Sequence, residues 1–194
     1  MLNLRFAGSL VACLTLTLGG IASSVAANND DVTTPESLIP VFQRTETASD
    51  SIPAELNPVE LGVPDGSEMR SLGSDSIGQY WVSLSPTSQV CLTMYIPGGY
   101  EVAGSTCGTL TEFNKKGLKL QINSNIDGEL VSRVAYLFPS DVDMADLAPA
   151  DHPVSRAATD VNFVAISPEQ NADLEARAVP RSSGSEFQFR PLGG

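Results

Sequence analysis

Residues 89–113, QVCLTMYIPGGYEVAGSTCGTLTEF, set the terms for the rest of the chain. In VCLTMYI, residues Val90, Leu92, Met94 and Ile96 share one face of an extended backbone, and Cys91, Thr93 and Tyr95 share the other. Both faces are largely apolar, which places this segment in the middle of a sheet. In TLTEFNKKG, Thr109 and Glu112 form a capping box, Lys115 and Lys116 fall in the last turn and Gly117 is the stop, the marks of a helix of about two turns. Cys107 lies just ahead of that helix, after a glycine-bearing loop able to carry it back over the Cys91 face. A disulfide between Cys91 and Cys107 would pin helix to sheet. It is worth about 3 kcal/mol in the chain-entropy account for a loop of about 15 residues.

Working outward, QYWVSLS and QVCLTMYI are separated by PTS and read as a hairpin. GLKLQIN alternates, with Leu118, Leu120 and Ile122 on one face and Lys119, Gln121 and Asn123 on the other, as a half-exposed strand requires. Asp127 and Gly128 turn it into LVSRVAYLF, since Asp-Gly between apolar runs selects a two-residue hairpin loop. VNFVAI and EFQFRPL would complete the sheet. In SPEQNADLEARA, Ser167 is placed as an N-cap with Pro168 at the first helical position. The expected fold is α+β, a single, mainly antiparallel sheet of about six strands with one or two short helices packed on it.

The N-terminal stretch MLNLRFAGSLVACLTLTLGGIASSVAA has one charge, Arg5, then an apolar run from Phe6 and small residues at its end. This is the layout of a secretory signal peptide over residues 1–27, cleaved after Ala26 or Ala27. The alternatives are a retained anchor over residues 6–27, about long enough to span a bilayer, and a lipobox, LVAC, with Cys13 as the lipidated residue. Each puts the remainder outside the cytoplasm, either secreted or membrane-anchored. Residues 28–74, rich in Pro, Ser, Thr, Asp and Glu with few aromatics, are expected to form an acidic, mostly disordered stalk. Within it, a short segment around Ile39, Val41 and Phe42 is expected to anchor on the folded part. Thr34 before Pro35 can start a helix there, and Pro40 ends it within a turn. The α+β domain is then 75–194.

An extracytoplasmic location and an even count of cysteines beyond the leader favour a structural disulfide. A redox pair wants C-x-x-C at a helix start and a zinc site wants four ligands, and neither pattern is present. With 23 acidic against 11 basic residues the net charge is −12. The chain therefore lacks the electrostatic footprint of a nucleic-acid binder. Its membrane contact is limited to an uncleaved N-terminal segment.

Catalytic patterns are sparse. His152, in APADHPVSR, is the lone imidazole, with Asp151 and Ser155 near it in sequence, and no G-x-S-x-G occurs. Asp141 and Asp143 could act as acid and base, or hold Ca²⁺, though such runs are commonly solvated loop. NSNIDGELVSRV has Asn123, Asn125, Asp127 and Gly128 at EF-hand spacing, but Val134 stands where a bidentate Glu belongs. Tyr80, Trp81 and Tyr95 could line a ligand surface, with core packing as the simpler reading.

The segments IPVFQRTETASDSIP, RSLG, YWVSL running into VCLTMYI, GSTC and YLFPSDV resemble a group of uncharacterised secreted or membrane-anchored actinobacterial proteins, over Ile39 to Val142. The resemblance implies export and paired cysteines and brings no activity or catalytic residue. The expected function is a non-catalytic binding or structural module of the cell envelope, needing no cofactor. Its partner would be an extracellular protein or envelope component. The alternatives are a small exported hydrolase using a carboxylate or His152, and an inhibitor-like module presenting the loop PGGYEVAGS.

Overall fold

The computed structural model describes residues 34–98, 101–145, 147 and 161–193. It opens with a one-turn helix, α1 (Pro35–Leu38), capped by Thr34 and ended ahead of Pro40. Two 3-10 turns follow, Pro40–Gln43 and Ala48–Asp50. Four antiparallel strands, β1 (Glu68–Ser74), β2 (Gln79–Leu84), β3 (Gln89–Ile96) and β4 (Val102–Thr109), form the first sheet in chain order. After α2 (Leu110–Lys116) come β5 (Leu118–Ile126), β6 (Glu129–Leu137) and β7 (Phe163–Ile166), the second antiparallel sheet. Helix α3 (Pro168–Ala172) then leads to a two-stranded ribbon, β8 (Arg177–Pro180) and β9 (Glu186–Phe189).

The fold is α+β and mostly strand, but it has three antiparallel sheets of four, three and two strands in place of the expected single sheet. The reason lies in β6 and β7, which need cover on both faces. Ala135, Leu137, Phe163 and Ala165 face a core shared with Leu72, Tyr80, Val82, Leu92, Met94 and Ile96 of the first sheet. Val134, Tyr136, Val164 and Ile166 face a second core built with Val179, Phe187 and Phe189 of the ribbon. Alternation therefore vanishes from VAYLF and FVAI, as it must in a strand buried on both sides.

The stalk expected over 28–74 is also corrected from Thr34 onward. Leu38, Ile39, Val41 and Phe42 are buried in the first core, and Glu68–Ser74 is an edge strand of the first sheet. Polar composition hid this because the segment uses hydrogen bonds where a core strand would use apolar area. Asp50, 1 % exposed, accepts from Thr47 N at 2.7 Å and from Ser71 N at 2.7 Å. It also accepts from both terminal nitrogens of Arg44, that to Nη1 at 2.6 Å. The chain then crosses the outer face of the first sheet as a strap, burying Val63. It reaches β4, where the Ser105 hydroxyl donates to Leu61 O.

Strand β4 replaces the loop expected before α2, and it takes in Val102–Ser105 of the proposed inhibitor loop. VAGSTCGT is poor in strand formers because β4 runs close to β5. A Cβ at Gly104 would lie 3.2 Å from Ile122 Cδ1, and one at Gly108 3.5 Å from Leu118 Cδ2. Small residues permit that approach.

Three local expectations match the structure. Asp127 (φ 55°) and Gly128 (φ 90°) make the two-residue turn that joins β5 to β6, with both residues in the left-handed region that a type I′ turn needs. Helix α2 has the Thr109–Glu112 capping box and ends at Gly117. Helix α3 is capped by Ser167.

Gly117 has φ 64°, and a Cβ there would sit 2.6 Å from Leu137 O. Gly184 is also left-handed, at φ 81°, but has nothing within 4 Å of that position. Gly117→Ala is expected to cost about 1–3 kcal/mol and Gly184→Ala visibly less, as compared by thermal melts of the two variants.

Candidate functional site

Cys91 and Cys107 are joined by a disulfide, directly opposite each other on β3 and β4 with Cα atoms 4.1 Å apart. The pairing is the expected one, but it ties neighbouring strands, not helix to sheet. Cys91 is fully buried, while Cys107 is exposed and its Sγ lies 3.6 Å from Gly62 O of the strap.

Beside Cys107 opens a cleft of about 570 Å³ between β4, the end of α2, the start of β5 and the segment after β9. Lys115, Lys116, Lys119 and Arg190 line it, together with Gln188 and no acidic residue. These are all three lysines of the chain. The end of a helix explains two of them, since Lys115 and Lys116 complement the negative end of the α2 dipole. Lys119, on β5, and Arg190, beyond β9, lie outside the helix and add to the same positive wall. Lys119 Nζ donates to Arg190 O and Pro191 O, both at 3.4 Å, which holds that segment against β5. Glu112 stands 3.5 Å from Lys116 as an exposed i,i+4 pair, a weak, solvent-screened contact.

The other sequence candidates are dispersed. Asp141 faces Arg181 at 3.5 Å through Oδ2, its buried Oδ1 having no hydrogen-bond partner among the described residues. Asp143 accepts from Ala145 N at 2.9 Å, so the two carboxylates have separate local partners. Asn125 Oδ1 accepts from Gly128 N at 2.9 Å, which is hairpin chemistry, not cation binding. Among the described residues no group of three or more His, Cys, Asp or Glu side chains is placed to hold a metal. Tyr80, Trp81 and Tyr95 are buried, Tyr80 within the first core. His152, Asp151, Ser155 and residues 1–33 lie outside the described residues. No helix among the described residues is long and apolar enough to cross a membrane.

The most enclosed charged cluster joins the two larger sheets. Asp75 accepts from Ile77 N at 2.7 Å, Gly78 N at 2.8 Å and the Tyr80 hydroxyl at 2.9 Å, and pairs with Arg133 at 3.2 Å. Burial, with Asp75 adding to it, pushes the Tyr80 phenol well above its ordinary value. Arg133 (17 % exposed) and Asp75 (7 %) are largely enclosed, and the cluster ties the β1–β2 turn to β6, so its work is structural.

A second depression of about 500 Å³ lies between the β5–β6 hairpin and the start of α3, with Ser132, Asn123 and Glu169 on its walls and no basic residue. Sequence reading missed the lysine cleft because Lys115 and Lys116 were fully accounted for by helix capping and Lys119 by strand alternation. Compared with known protein families, curated proteins and solved structures, the chain matches none.

Proposed function

We propose that this is a non-catalytic, extracytoplasmic binding module of the cell envelope, and that the lysine cleft receives an anionic group of its partner. One observation carries the second half of that reading. A chain of net charge −12 gathers four of its basic side chains, with no acidic one, around a single concave surface. Like charge elsewhere repels anions at long range, so binding is directed to a surface where the local charge is reversed, as it is in this cleft. The disulfide is compatible with an oxidising compartment, and export is supported by the signal-peptide layout of residues 1–27. The resemblance to exported actinobacterial proteins supports the same location.

The test is calorimetric titration of the full chain with inorganic tripolyphosphate at low ionic strength. Replacing Lys115, Lys116 and Lys119 together by Gln removes three surface attractions of about 0.5–1 kcal/mol each. Affinity should then fall roughly 10–100-fold, and the Lys115→Gln, Lys116→Gln double variant, which keeps the Lys119 contacts to Arg190 O and Pro191 O, should lose part of that affinity with the fold intact. Binding that is equally strong in the triple variant would refute the assignment of the cleft.

A further inference from the structure

The disulfide at the edge of this cleft divides its two sulfurs unequally. Cys107 is exposed and lines the cleft. Cys91, its partner, is 0 % exposed. Around Cys91 on the same face stand three polar groups with no hydrogen-bond partner among the described residues: the Ser83 and Thr93 hydroxyls and the Trp81 indole N–H. The register fixes where they are. Ser83 is directly opposite Cys91 on β2, Thr93 is two residues along β3 on the same face, and Trp81 is opposite Thr93. Ser83 and Thr93 are 0 % exposed and Trp81 3 %.

Unpartnered buried hydroxyls are expensive, each costing the desolvation of a group that water would have satisfied. A donor without an acceptor in one state of a protein makes sense where an acceptor arises in another. The acceptor that can arise here is a thiolate at Cys91.

We propose that Cys91–Cys107 is a thiol–disulfide exchange site for a low-molecular-weight anionic thiol, with Cys107 the sulfur attacked and Cys91 the sulfur released. This rests on the cleft being the anion-binding surface. The thiolate of the incoming molecule, its carboxylates held by Lys115, Lys116, Lys119 and Arg190, bonds to Cys107 Sγ as the Cys91–Cys107 bond breaks. The electron pair of that bond leaves on Cys91 Sγ, on the face that carries the unpartnered Ser83, Thr93 and Trp81 donors, Ser83 directly opposite it. A second molecule of the thiol then attacks the mixed disulfide, releasing the oxidised small disulfide and a Cys107 thiolate. The protein gains two electrons and, at neutral pH, takes up protons on its thiols. The reverse sequence, with the oxidised small molecule, restores the bond. Exposed disulfides are the exchangeable ones, and the rate depends on thiolate concentration, access and stabilisation of the leaving sulfur. The cleft supplies the first two, and the buried donors supply the third.

The full chain is treated with glutathione, with neutral 2-mercaptoethanol and with cationic cysteamine at matched thiolate concentrations. Samples are quenched by alkylation and mapped by mass spectrometry. The expected result is a glutathione adduct on Cys107 with an alkylated Cys91. Glutathione should react about tenfold faster than cysteamine, and the advantage should shrink as salt screens the cleft. Replacing Ser83 by Ala and Thr93 by Val should slow exchange by about tenfold, the fold-change for about 1.4 kcal/mol of lost leaving-group stabilisation. The Ser83→Ala single variant removes a hydroxyl with no partner and is expected to melt no lower than the parent, so slowed exchange there reports on the thiolate and not on folding. An adduct on Cys91, no adduct at all, or a Ser83→Ala rate equal to the parent's would overturn the exchange site. Tripolyphosphate binding that persists alongside any of those results leaves the anion cleft standing. If tripolyphosphate does not bind and glutathione reacts no faster than cysteamine, both readings fall.

Discussion

Asp50→Ala is expected to lower stability by about 2–4 kcal/mol. The Ser71 and Thr47 N–H groups lose the buried carboxylate that accepts from them, at about 1–3 kcal/mol each, while the part-exposed Arg44 returns to solvent. This is a large share of the roughly 5–15 kcal/mol that holds a domain together. The carboxylate joins four groups far apart in role: the Arg44 guanidinium, the Thr47 backbone and hydroxyl, and the Ser71 N–H of β1. Without it, Ser71 N–H loses its acceptor and the strap loses its fastening to the sheet. The Arg44 guanidinium beside it, with Ser71 and Thr47 donating as well and burial opposing them, holds the carboxyl far below the usual carboxylate range. A folded-state pKa below the unfolded one means that the unfolded chain binds more protons in the interval between them, so stability rises with pH there. The contribution is complete above the ordinary Asp value near pH 4 and drains away as acidification proceeds below it. Urea melts from pH 7 to pH 2 should therefore show a loss of stability in the parent that is flatter in Asp50→Ala. A variant that melts like its parent at pH 7 would remove Asp50 as the fastening point.

Phe138→Ala is the second change expected to be severe, at about 3–5 kcal/mol. Phe138, 3 % exposed, sits at ring-centroid distances of 5.7 Å from Phe187, 5.8 Å from Phe189 and 5.9 Å from Tyr136. It is the ring that Phe187 and Phe189 of β9 rest on, and edge-to-face contacts with each of them add to its buried area. Truncation leaves a void that the ribbon cannot fill without shifting, and the ribbon carries Gln188 and leads into Arg190 on the cleft wall. Denaturant melts measure the stability change. The same variant should lose tripolyphosphate affinity, whereas Leu130→Ala, at a residue 77 % exposed, should change neither.

What could be read from the sequence was whatever is specified locally. The Thr109–Glu112 box, the Gly117 stop, the Ser167 cap and the Asp127–Gly128 turn each depend on a few consecutive residues, and each stands where those residues put it. The Cys91–Cys107 pairing was legible from compartment and count, but its geometry was not, because β4 does not look like a strand. Its glycines serve a neighbour, β5, that periodicity within β4 cannot reveal. The strap was hidden for a similar reason. Asp50 reaches Ser71 across 21 positions, and in composition a buried, fully paired Asp is indistinguishable from a solvated one. The lysine cleft likewise exists only after four separate segments have converged. Residues already explained by capping and alternation gave no sign of a second use.

The double burial of β6 and β7 has a consequence for where this molecule can change. From Val134 to Phe138 and from Phe163 to Ile166 every position is buried, so these two stretches of the middle layer offer no side chain to the outside. A substitution there is felt by two cores at once, and paired substitutions across it will not add. Specificity must therefore be written in the outer layers: the strap and the face it covers, the half-exposed edge strand β5, and the ribbon. Those are the layers built from short segments, small residues and hydrogen bonds. They can be rewritten one at a time while the middle layer keeps its shape, so that one scaffold could present different surfaces in its descendants without relearning how to fold.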